Sequence, residues 1–245
     1  MSKLKLAVIN YTNSLPFVYG LKNDKNIDDY FDILEDTPSG CSDKLLSNTV
    51  DVALVSVVTL LSMPYYRIIG DYCIGSNGEV KSVYIHSKKP IDKIQSLLFD
   101  NESRTSNMLA KIILSSKNKL EIEYISEQTT SCYDAKVLIG DKNFTVSEKL
   151  PYKYDLSQEW QKLTGKPFVF AVWLANKQIP EQHAKILNKA LAYGIENKNE
   201  CISVVQNKYS NIDVKEYLYK NIQYDLTKER KESLEMFLSL VKQFQ

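Results

Sequence analysis

The chain has 245 residues, of which 44% are hydrophobic and 25% are charged, a composition typical of a folded protein and not of a disordered chain. Lys and Arg number 31 against 30 Asp and Glu, so the formal net charge of +1 offers no general attraction to nucleic acid. The length fits one large domain or two smaller lobes, and the 8 glycines form neither a GxGxxG dinucleotide fingerprint nor a P-loop.

The first part of the chain alternates strand-like and helix-like segments. The predicted strands, short apolar runs rich in β-forming residues, are Leu4–Ile9, Phe31–Leu34 and Asp51–Val55. Pro16 suits the first turn of an intervening helix, where its missing N–H costs nothing, and Asn48 can end a second helix around residues 44–46. This alternation predicts βαβ units and a mostly parallel sheet.

The pattern changes after residue 66. Two β-rich runs, Ile68–Ile74 and Val80–Ser87, flank the polar segment Gly75–Glu79, whose composition predicts a hairpin. A second βαβ-like series follows Pro90. Its predicted strands and helix are Leu97–Phe99, Arg104–Leu114 (the helix), Glu121–Ile125 and Lys136–Ile139.

The last strong strand pattern is Phe168–Leu174, and from Pro180 onward apolar residues recur at helical spacing. Two α/β series followed by a helical tail predict two lobes with a cleft between them. We expect residues 1–86 and 172–245 to form a discontinuous first lobe, covered by the helical tail, and residues 87–171 to form the second lobe.

The cysteines and the amino-terminal segment indicate a reduced, soluble, cytoplasmic protein. The 4 cysteines lie far apart without a CxxC pair, so no structural zinc site is expected. The apolar run at residues 6–9 is shorter than the about 7–15 residues of a signal-peptide core. The apolar stretch at residues 52–66 is shorter than the about 18 residues that span a bilayer.

Polar loops after the predicted strands are the places to search for a ligand site, because open α/β sheets bind ligands at the carboxyl ends of their strands. Asn13 follows the first strand, and it either contacts a ligand or caps the next helix. Gly140 allows a ligand to approach the backbone, while Asp141 either orients a polar group or caps a helix. Ser82 can hydrogen-bond a substrate if it faces the cleft.

The segment Asn101–Ser106 is the most suggestive of these loops. It places the hydroxyls of Ser103, Thr105 and Ser106 at a helix amino terminus, where unpaired N–H groups favour an anion. Arg104 adds a planar fork that matches a carboxylate. The alternative interpretation is an ordinary Ser103 cap beside a solvated Arg104.

The same loops resemble those of the chorismate dehydratases of the futalosine route to menaquinone. The resemblance runs from Leu6 to about Trp173, through short motifs that occur in order. These motifs are NYTNSLPFVYGL (10–21), DVALV (51–55), VKSV (80–83), DNESRTS (100–106), LIGD (138–141), YDL (154–156) and EWxxLTGxPFVFAVW (159–173). The chain departs from the family at Asn10 and Thr12, where serine and leucine are usual, and at Ser56, where proline is common.

The resemblance implies a two-lobed fold of the periplasmic-binding-protein type II kind and a cytoplasmic lyase. Its implied reaction eliminates water from chorismate to give 3-[(1-carboxyvinyl)oxy]benzoate, and it implies no metal, nicotinamide or other cofactor. The implied partner is the small molecule chorismate, with neither nucleic acid nor membrane involved. The sequence makes no prediction of oligomeric state.

Because the loops that carry the resemblance are rich in neutral donors and poor in bases, we predict catalytic roles for Asn13 and Ser82, which position the accepting carboxylate and the leaving hydroxyl. The predicted substrate-binding residues are Ser103, Arg104, Thr105, Ser106, Gly140 and Asp141. We predict that the substrate's own enolpyruvyl carboxylate accepts the C3 proton, with Asp141 as the competing base. Neither His86, at a strand end, nor His183, in the first turn of a helix, is favoured as a base.

Two other functions are compatible with the same fold. One is a solute-binding protein for small anions without any chemistry, against which the lack of a recognisable export signal argues. The other is the sister enzyme of the pathway, which forms a dihydroxynaphthoate and whose motifs match this chain less well.

Overall fold

The computed structural model describes residues 2–117, 121–126, 132–147, 150–205, 209 and 211–244. The strands are β1 (Leu4–Ile9), β2 (Phe31–Asp36), β3 (Val52–Ser56), β4 (Arg67–Ser76), β5 (Val83–Ser87), β6 (Ser96–Leu98), β7 (Glu123–Ile125), β8 (Ala135–Ile139), β9 (Tyr152–Asp155), β10 (Phe168–Ala175) and β11 (Gln223–Asp225). The helices are α1 (Leu15–Asn23), α2 (Ile27–Tyr30), α3 (Pro38–Leu46), α4 (Arg104–Lys117), α5 (Lys142–Thr145), α6 (Leu156–Thr164), α7 (Glu181–Glu196), α8 (Lys198–Val205), α9 (Val214–Glu216) and α10 (Lys228–Val241).

Six strands form the first sheet, in the order β11-β4-β10-β3-β1-β2. β1 pairs in parallel with β2 and β3, as the alternating pattern predicts, whereas β10 runs antiparallel to both of its neighbours. Every residue of β3 and β10 is buried, and their nearly unbroken apolar runs are typical of strands covered on both faces.

Five strands form the second sheet, in the order β7-β6-β8-β5-β9. β6 pairs in parallel with β7 and β8, and β5 runs antiparallel to β8 and β9. Both sheets are therefore mixed, which corrects the expectation of a mostly parallel sheet. Two α/β layers followed by a carboxyl-terminal helical region confirm the predicted fold class.

Residues 75–79 do not form the predicted hairpin. β4 continues to Ser76 and lies between β10 and β11, so both of its edges are already occupied. The following residues, 77–82, lead to β5 in the other sheet. The tail is not purely helical either, because β11 adds an edge strand to the first sheet.

Helix α7 crosses α1 at two glycines. A Cβ on Gly194 would lie 1.8 Å from the carbonyl oxygen of Pro16, and one on Gly20 would lie 2.0 Å from that of Ala190. The two backbones are therefore in contact, which fixes α1 and the polar loop that precedes it. Pro16 lies in the first turn of α1, as predicted.

No helix in the described part of the chain combines the length and the apolar character that a membrane span requires.

Candidate active site

A cavity lies between the two sheets, and its empty space of about 480 Å³ includes the open mouth. The apolar part of its wall includes Ile9, Ile74, Ile139 and Phe170. Its polar side chains are those of Tyr11, Asn13, Ser56, Ser82, Ser103 and Ser106. Among the described residues that line it there is no carboxylate, imidazole, ammonium or guanidinium group.

The amino terminus of α4 opens on this cavity. Ser103 Oγ accepts a hydrogen bond from Ser106 N at 3.1 Å and donates one to Ser106 Oγ at 2.8 Å, so Ser103 caps the helix. Thr105 bonds instead to Ser56 at the end of β3, which ties α4 to the first sheet. An anion at this helix end would meet hydroxyls and the positive end of the helix dipole.

Asn13 follows β1 of the first sheet and Ser82 precedes β5 of the second sheet, and both line the cavity. Asn13 Oδ1 accepts from the Ser14 hydroxyl at 3.0 Å, and Asn13 Nδ2 has no partner among the described residues. The main-chain oxygen of Asn13 accepts from Tyr224 Oη at 3.0 Å. Ser82 is fully buried, and its Oγ accepts from Tyr217 Oη at 2.8 Å. Asn13 therefore presents a free amide donor, and Ser82 presents a hydroxyl whose oxygen is already engaged.

Asp155 holds the turn that precedes Ser82. Its Oδ2 accepts from Val80 N at 3.0 Å and from Lys81 N at 2.8 Å, while its Oδ1 accepts from two N–H groups at the start of α6. Lys81 has a φ of 59°, in the left-handed region that side-chain-bearing residues rarely adopt. Burial raises the pKa of Asp155 to about 6, although the four N–H donors act to lower it.

Tyr11 follows β1 of the first sheet, lines the cavity, and contacts residues next to α4 and β8. Its hydroxyl donates to Glu102, which also pairs with Lys142 at 3.2 Å. Its ring lies against Gly140, where a Cβ would approach Tyr11 Cε2 to 2.5 Å. Burial, and after it the neighbouring Glu102 carboxylate, raises the pKa of Tyr11 well above its ordinary value, so the phenol keeps its proton.

Residues 4–243 match the family described as menaquinone biosynthesis. The chain belongs to this family. A chorismate dehydratase of Campylobacter jejuni is 28% identical over 247 residues, a match that spans 96% of each chain. A chorismate dehydratase of Thermus thermophilus is 26% identical over 200 residues, which are 70% of this chain and 74% of that relative.

Solved structures resemble this member of the family in fold. A protein from Archaeoglobus fulgidus aligns with a TM-score of 0.74 at 13% identity, covering 99% of this chain and 97% of its own. The periplasmic aliphatic sulphonate binding protein of Escherichia coli aligns at 0.62 and 11% identity, covering 100% and 93%. A Candida albicans protein described as having the generic periplasmic binding protein fold aligns at 0.60 and 13%, covering 99% and 94%. These likenesses confirm the predicted periplasmic-binding-protein-like fold.

The structure brings together five of the eight predicted site residues, which are Asn13, Ser82, Ser103, Ser106 and Gly140. Arg104 lies outside the cavity, where its guanidinium pairs with Asp43 at 2.5 Å and its side chain is 42% exposed. The helix geometry explains the separation, because residues three apart share a helix face whereas the next residue along points elsewhere. Thr105 is buried against Ser56 rather than facing the cavity.

Asp141 does not line the cavity either. Its carboxylate accepts from Thr12 N and Thr12 Oγ1, both at 3.0 Å, and from Tyr209 Oη at 2.6 Å. It makes no side-chain cap to α5, which rules out the predicted capping role, and the groups that its carboxylate orients belong to the protein itself. These bonds tie the loop before α1 to the loop after β8.

Neither histidine reaches the cavity. His86 is buried with Nε2 at 2.9 Å from Asn143 Oδ1. The ring of His183 packs edge-on against Tyr30 and Phe31, with centroids 5.1 and 5.6 Å away. His183 is fully buried rather than lying on a helix surface as sequence position alone would favour.

Sequence reasoning missed the tyrosines that support the site. Tyr209, Tyr217 and Tyr224 lie in the tail, and their hydroxyls bond to Asp141, Ser82 and the main chain of Asn13 respectively. Buried tyrosine hydroxyls usually bond to polar partners, so tyrosines in an apolar tail pattern are the sequence feature that could have indicated these contacts. A single sequence does not tell which loop each hydroxyl reaches.

Proposed function

We propose that this protein is a chorismate dehydratase, like the two bacterial relatives that it matches over most of its length. The observation that supports this most is the cavity itself. Segments next to strands of both sheets contribute uncharged donors to it, and none of the described lining residues is a base. Such a site suits a substrate that carries its own charges and supplies its own proton acceptor.

Chorismate is a dianion, so its carboxylates need donors. The α4 amino terminus is our proposed site for one carboxylate, where the hydroxyls of Ser103 and Ser106 and the helix dipole replace a cation. The N–H groups of Thr105 and Ser106 already donate to Ser56 and Ser103. The free Asn13 amide and the Ser82 hydroxyl are the proposed donors to the reacting part of the substrate. Ile139 and Phe170 offer apolar surface for the ring.

The elimination needs a base for the C3 proton of the substrate. The negative charge left on C3 is conjugated through a double bond to the ring carboxylate. Donors that hold this carboxylate therefore stabilise the enolate-like charge that develops. The electron pair from the C3–H bond enters the ring, and the C4 hydroxyl leaves with its bonding pair. Water forms when that hydroxyl takes up a proton, and the aromatic product makes the reaction strongly downhill.

We assign the proton to the enolpyruvyl carboxylate of the substrate. The carboxylates of Asp141 and Glu102, each next in sequence to a residue that lines the cavity, are engaged by other groups: Asp141 by three donors, and Glu102 by Tyr11 and Lys142. A chorismate analogue without this carboxylate is therefore expected to bind but to react at least about 100-fold more slowly, the usual contribution of a general base. Turnover of the analogue at the normal rate would contradict the assignment.

The proposal includes the biological setting. Within menaquinone biosynthesis we assign the protein to the futalosine route, as a cytoplasmic enzyme. A strain lacking the gene is then expected to need menaquinone, or the benzoate product, for growth that depends on this quinone. Rescue by chorismate alone would contradict the assignment.

The direct test is incubation of the purified protein with chorismate while the ultraviolet spectrum and product mass are recorded. We expect a benzoate-type spectrum and the loss of one water from the substrate. Binding of chorismate without conversion would favour a solute-binding protein of the same fold. Inactivity with chorismate, combined with formation of a dihydroxynaphthoate from a cyclised precursor, would favour the sister enzyme.

A further inference from the structure

Tyr217 lies at the start of a short π-helical segment in the tail, Tyr217–Asn221, and it is almost wholly buried. Its ring packs edge-on against Phe144, with centroids 5.2 Å apart, and Phe144 belongs to the helix that follows Gly140. Its hydroxyl ends 2.8 Å from Ser82 Oγ. π-helical segments are rare and frequently occur at functional sites, so this one merits a functional explanation.

The proton in this contact belongs to Tyr217. The geometry has Tyr217 Oη donating to Ser82 Oγ. Burial raises the pKa of Tyr217 far above its ordinary value, so the phenol stays protonated and remains a donor. Ser82 must then direct its own proton elsewhere.

Within the protein, the Ser82 hydroxyl has a poor place to donate. The acceptor found for it is the main-chain oxygen of Val80, at 3.5 Å, which is at the outer limit for a hydrogen bond. Ser82 lines the cavity, so an oxygen atom of a bound molecule offers a better acceptor. A hydroxyl that accepts one hydrogen bond also becomes a stronger donor, because such bonds polarise one another.

We propose that Tyr217 is a positioning residue that fixes and polarises the Ser82 hydroxyl as a donor to the leaving oxygen of the substrate. The inference rests on the proposed function and adds to it the group that orients Ser82. As the C4–O bond breaks, the bonding pair goes to oxygen, and the Ser82 hydrogen bond stabilises the charge on it. The proton that completes the water molecule is the one taken from C3, so Ser82 and Tyr217 both keep theirs.

The tail contains a second contact of the same kind. Tyr224 follows Tyr217 by one short segment, and its hydroxyl holds the main chain of Asn13 at 3.0 Å. The tail thus contacts both of the proposed donor residues, Asn13 and Ser82, although neither Tyr217 nor Tyr224 lines the cavity.

The test begins with Tyr217→Phe, which removes the hydroxyl and keeps the ring on Phe144. We expect kcat for chorismate to fall about 10-fold, the value of one modest hydrogen bond, with KM changed by less than about 3-fold. The matched control is Tyr219→Phe, two residues along the same segment, whose hydroxyl bonds to exposed Asn199 at 3.2 Å. The control is expected to retain the native kcat.

A double-mutant cycle separates positioning from a general structural role. If Tyr217 acts through Ser82, the double variant Ser82→Ala with Tyr217→Phe has the same kcat and the same chorismate Kd as Ser82→Ala alone. Equal losses in both backgrounds would overturn the inference, as would a kcat of Tyr217→Phe equal to the native value. A native chain that binds chorismate without converting it would instead contradict the proposed function, and with it the role of Ser82 and Tyr217 in the elimination. A chain that does not bind chorismate would overturn both.

Discussion

At the residue scale, Asp141 is the competing candidate for the base, and it directly follows Gly140 of the cavity wall, yet its contacts are with the protein itself. Both of its oxygens accept hydrogen bonds that join the loop before α1 to the tail. We expect Asp141→Asn to lower the free energy of unfolding by about 1–3 kcal/mol and to reduce kcat by less than 10-fold. Chemical unfolding and steady-state kinetics measure the two effects. A loss of about 10²–10⁴ in kcat with unchanged stability would identify Asp141 as the base.

Gly140 combines a left-handed backbone with a close neighbour. Its φ is +58°, and an added Cβ would meet the Tyr11 ring at 2.5 Å. Gly165 is a matched control, with φ +74° and nothing within 4 Å. We expect Gly165→Ala to cost about 1 kcal/mol of stability with native kinetics. Gly140→Ala is expected to cost more and to raise KM, because Tyr11 must move from Glu102. Identical behaviour of the two variants would contradict this explanation.

The role of a residue was predictable where its side chain and its local position in the sequence indicate the same role. The Ser103 cap follows from a hydroxyl before an apolar helical stripe, and the structure has it. The direction of Arg104 was not predictable from the same segment, because Asp43, its partner, is distant in sequence. Ser56, a departure from the family motif, turns out to bond Thr105 and line the cavity. Long-range partners decide such roles, and one sequence does not name them.

At the scale of elements, the crossing of α1 and α7 depends on Gly194. Helix propensity alone predicts that Gly194→Ala stabilises the protein by up to about 1 kcal/mol. The added Cβ would lie 1.8 Å from Pro16 O, so we expect destabilisation by about 1–3 kcal/mol instead. The two expectations differ in sign, and thermal unfolding distinguishes them. A raised melting temperature would show that the helices do not touch here.

Elements with a strong periodic or apolar signal were predicted well. The bounds of β1 were predicted without error, and α4 extends three residues beyond its predicted end. β11 was missed because three residues within a helical tail carry too little pattern. The prediction of a hairpin at residues 75–79 is wrong because Gly, Ser and Asn indicate that a strand ends, but they do not indicate whether the next strand pairs with it.

At the scale of the whole molecule, sheet membership suggests where the chain passes between lobes. We propose crossings at residues 77–82 and 156–167, because β5 belongs to the second sheet and all of β10 to the first. The expected lobe boundaries at residues 87 and 172 stay a prediction. Asp155 bonds to main-chain N–H groups of both proposed crossings, so it is placed to hold the lobes in one arrangement.

The raised pKa of Asp155 gives stability a specific pH dependence. With a folded pKa of about 6, above the 3.8 of the unfolded chain, the folded protein holds a proton that the unfolded chain has released between these values. The stabilisation of the folded state by this bound proton is therefore fully present below pH 3.8 and is lost as the pH rises through about 6. Relative to Asp155→Asn, we expect the native free energy of unfolding to fall by on the order of 3 kcal/mol across that window. Chemical unfolding of both proteins at several pH values measures this fall. A free energy of unfolding of the native chain that rises with pH relative to that of Asp155→Asn would contradict this account.

The central claim is that the protein dehydrates chorismate with uncharged hydrogen-bond donors in the cavity between the two sheets, and without a cation there. The most direct measurement is kcat/KM for chorismate with the native chain, Ser82→Ala and Arg104→Ala. We expect the native chain to convert chorismate and Ser82→Ala to lose about 100-fold or more, as when a donor to developing charge is removed. Arg104→Ala is expected to stay within about 3-fold of native, because its guanidinium is half exposed and pairs with Asp43, and Arg104 is not one of the residues that line the cavity. An Arg104→Ala loss as large as that of Ser82→Ala would contradict the account.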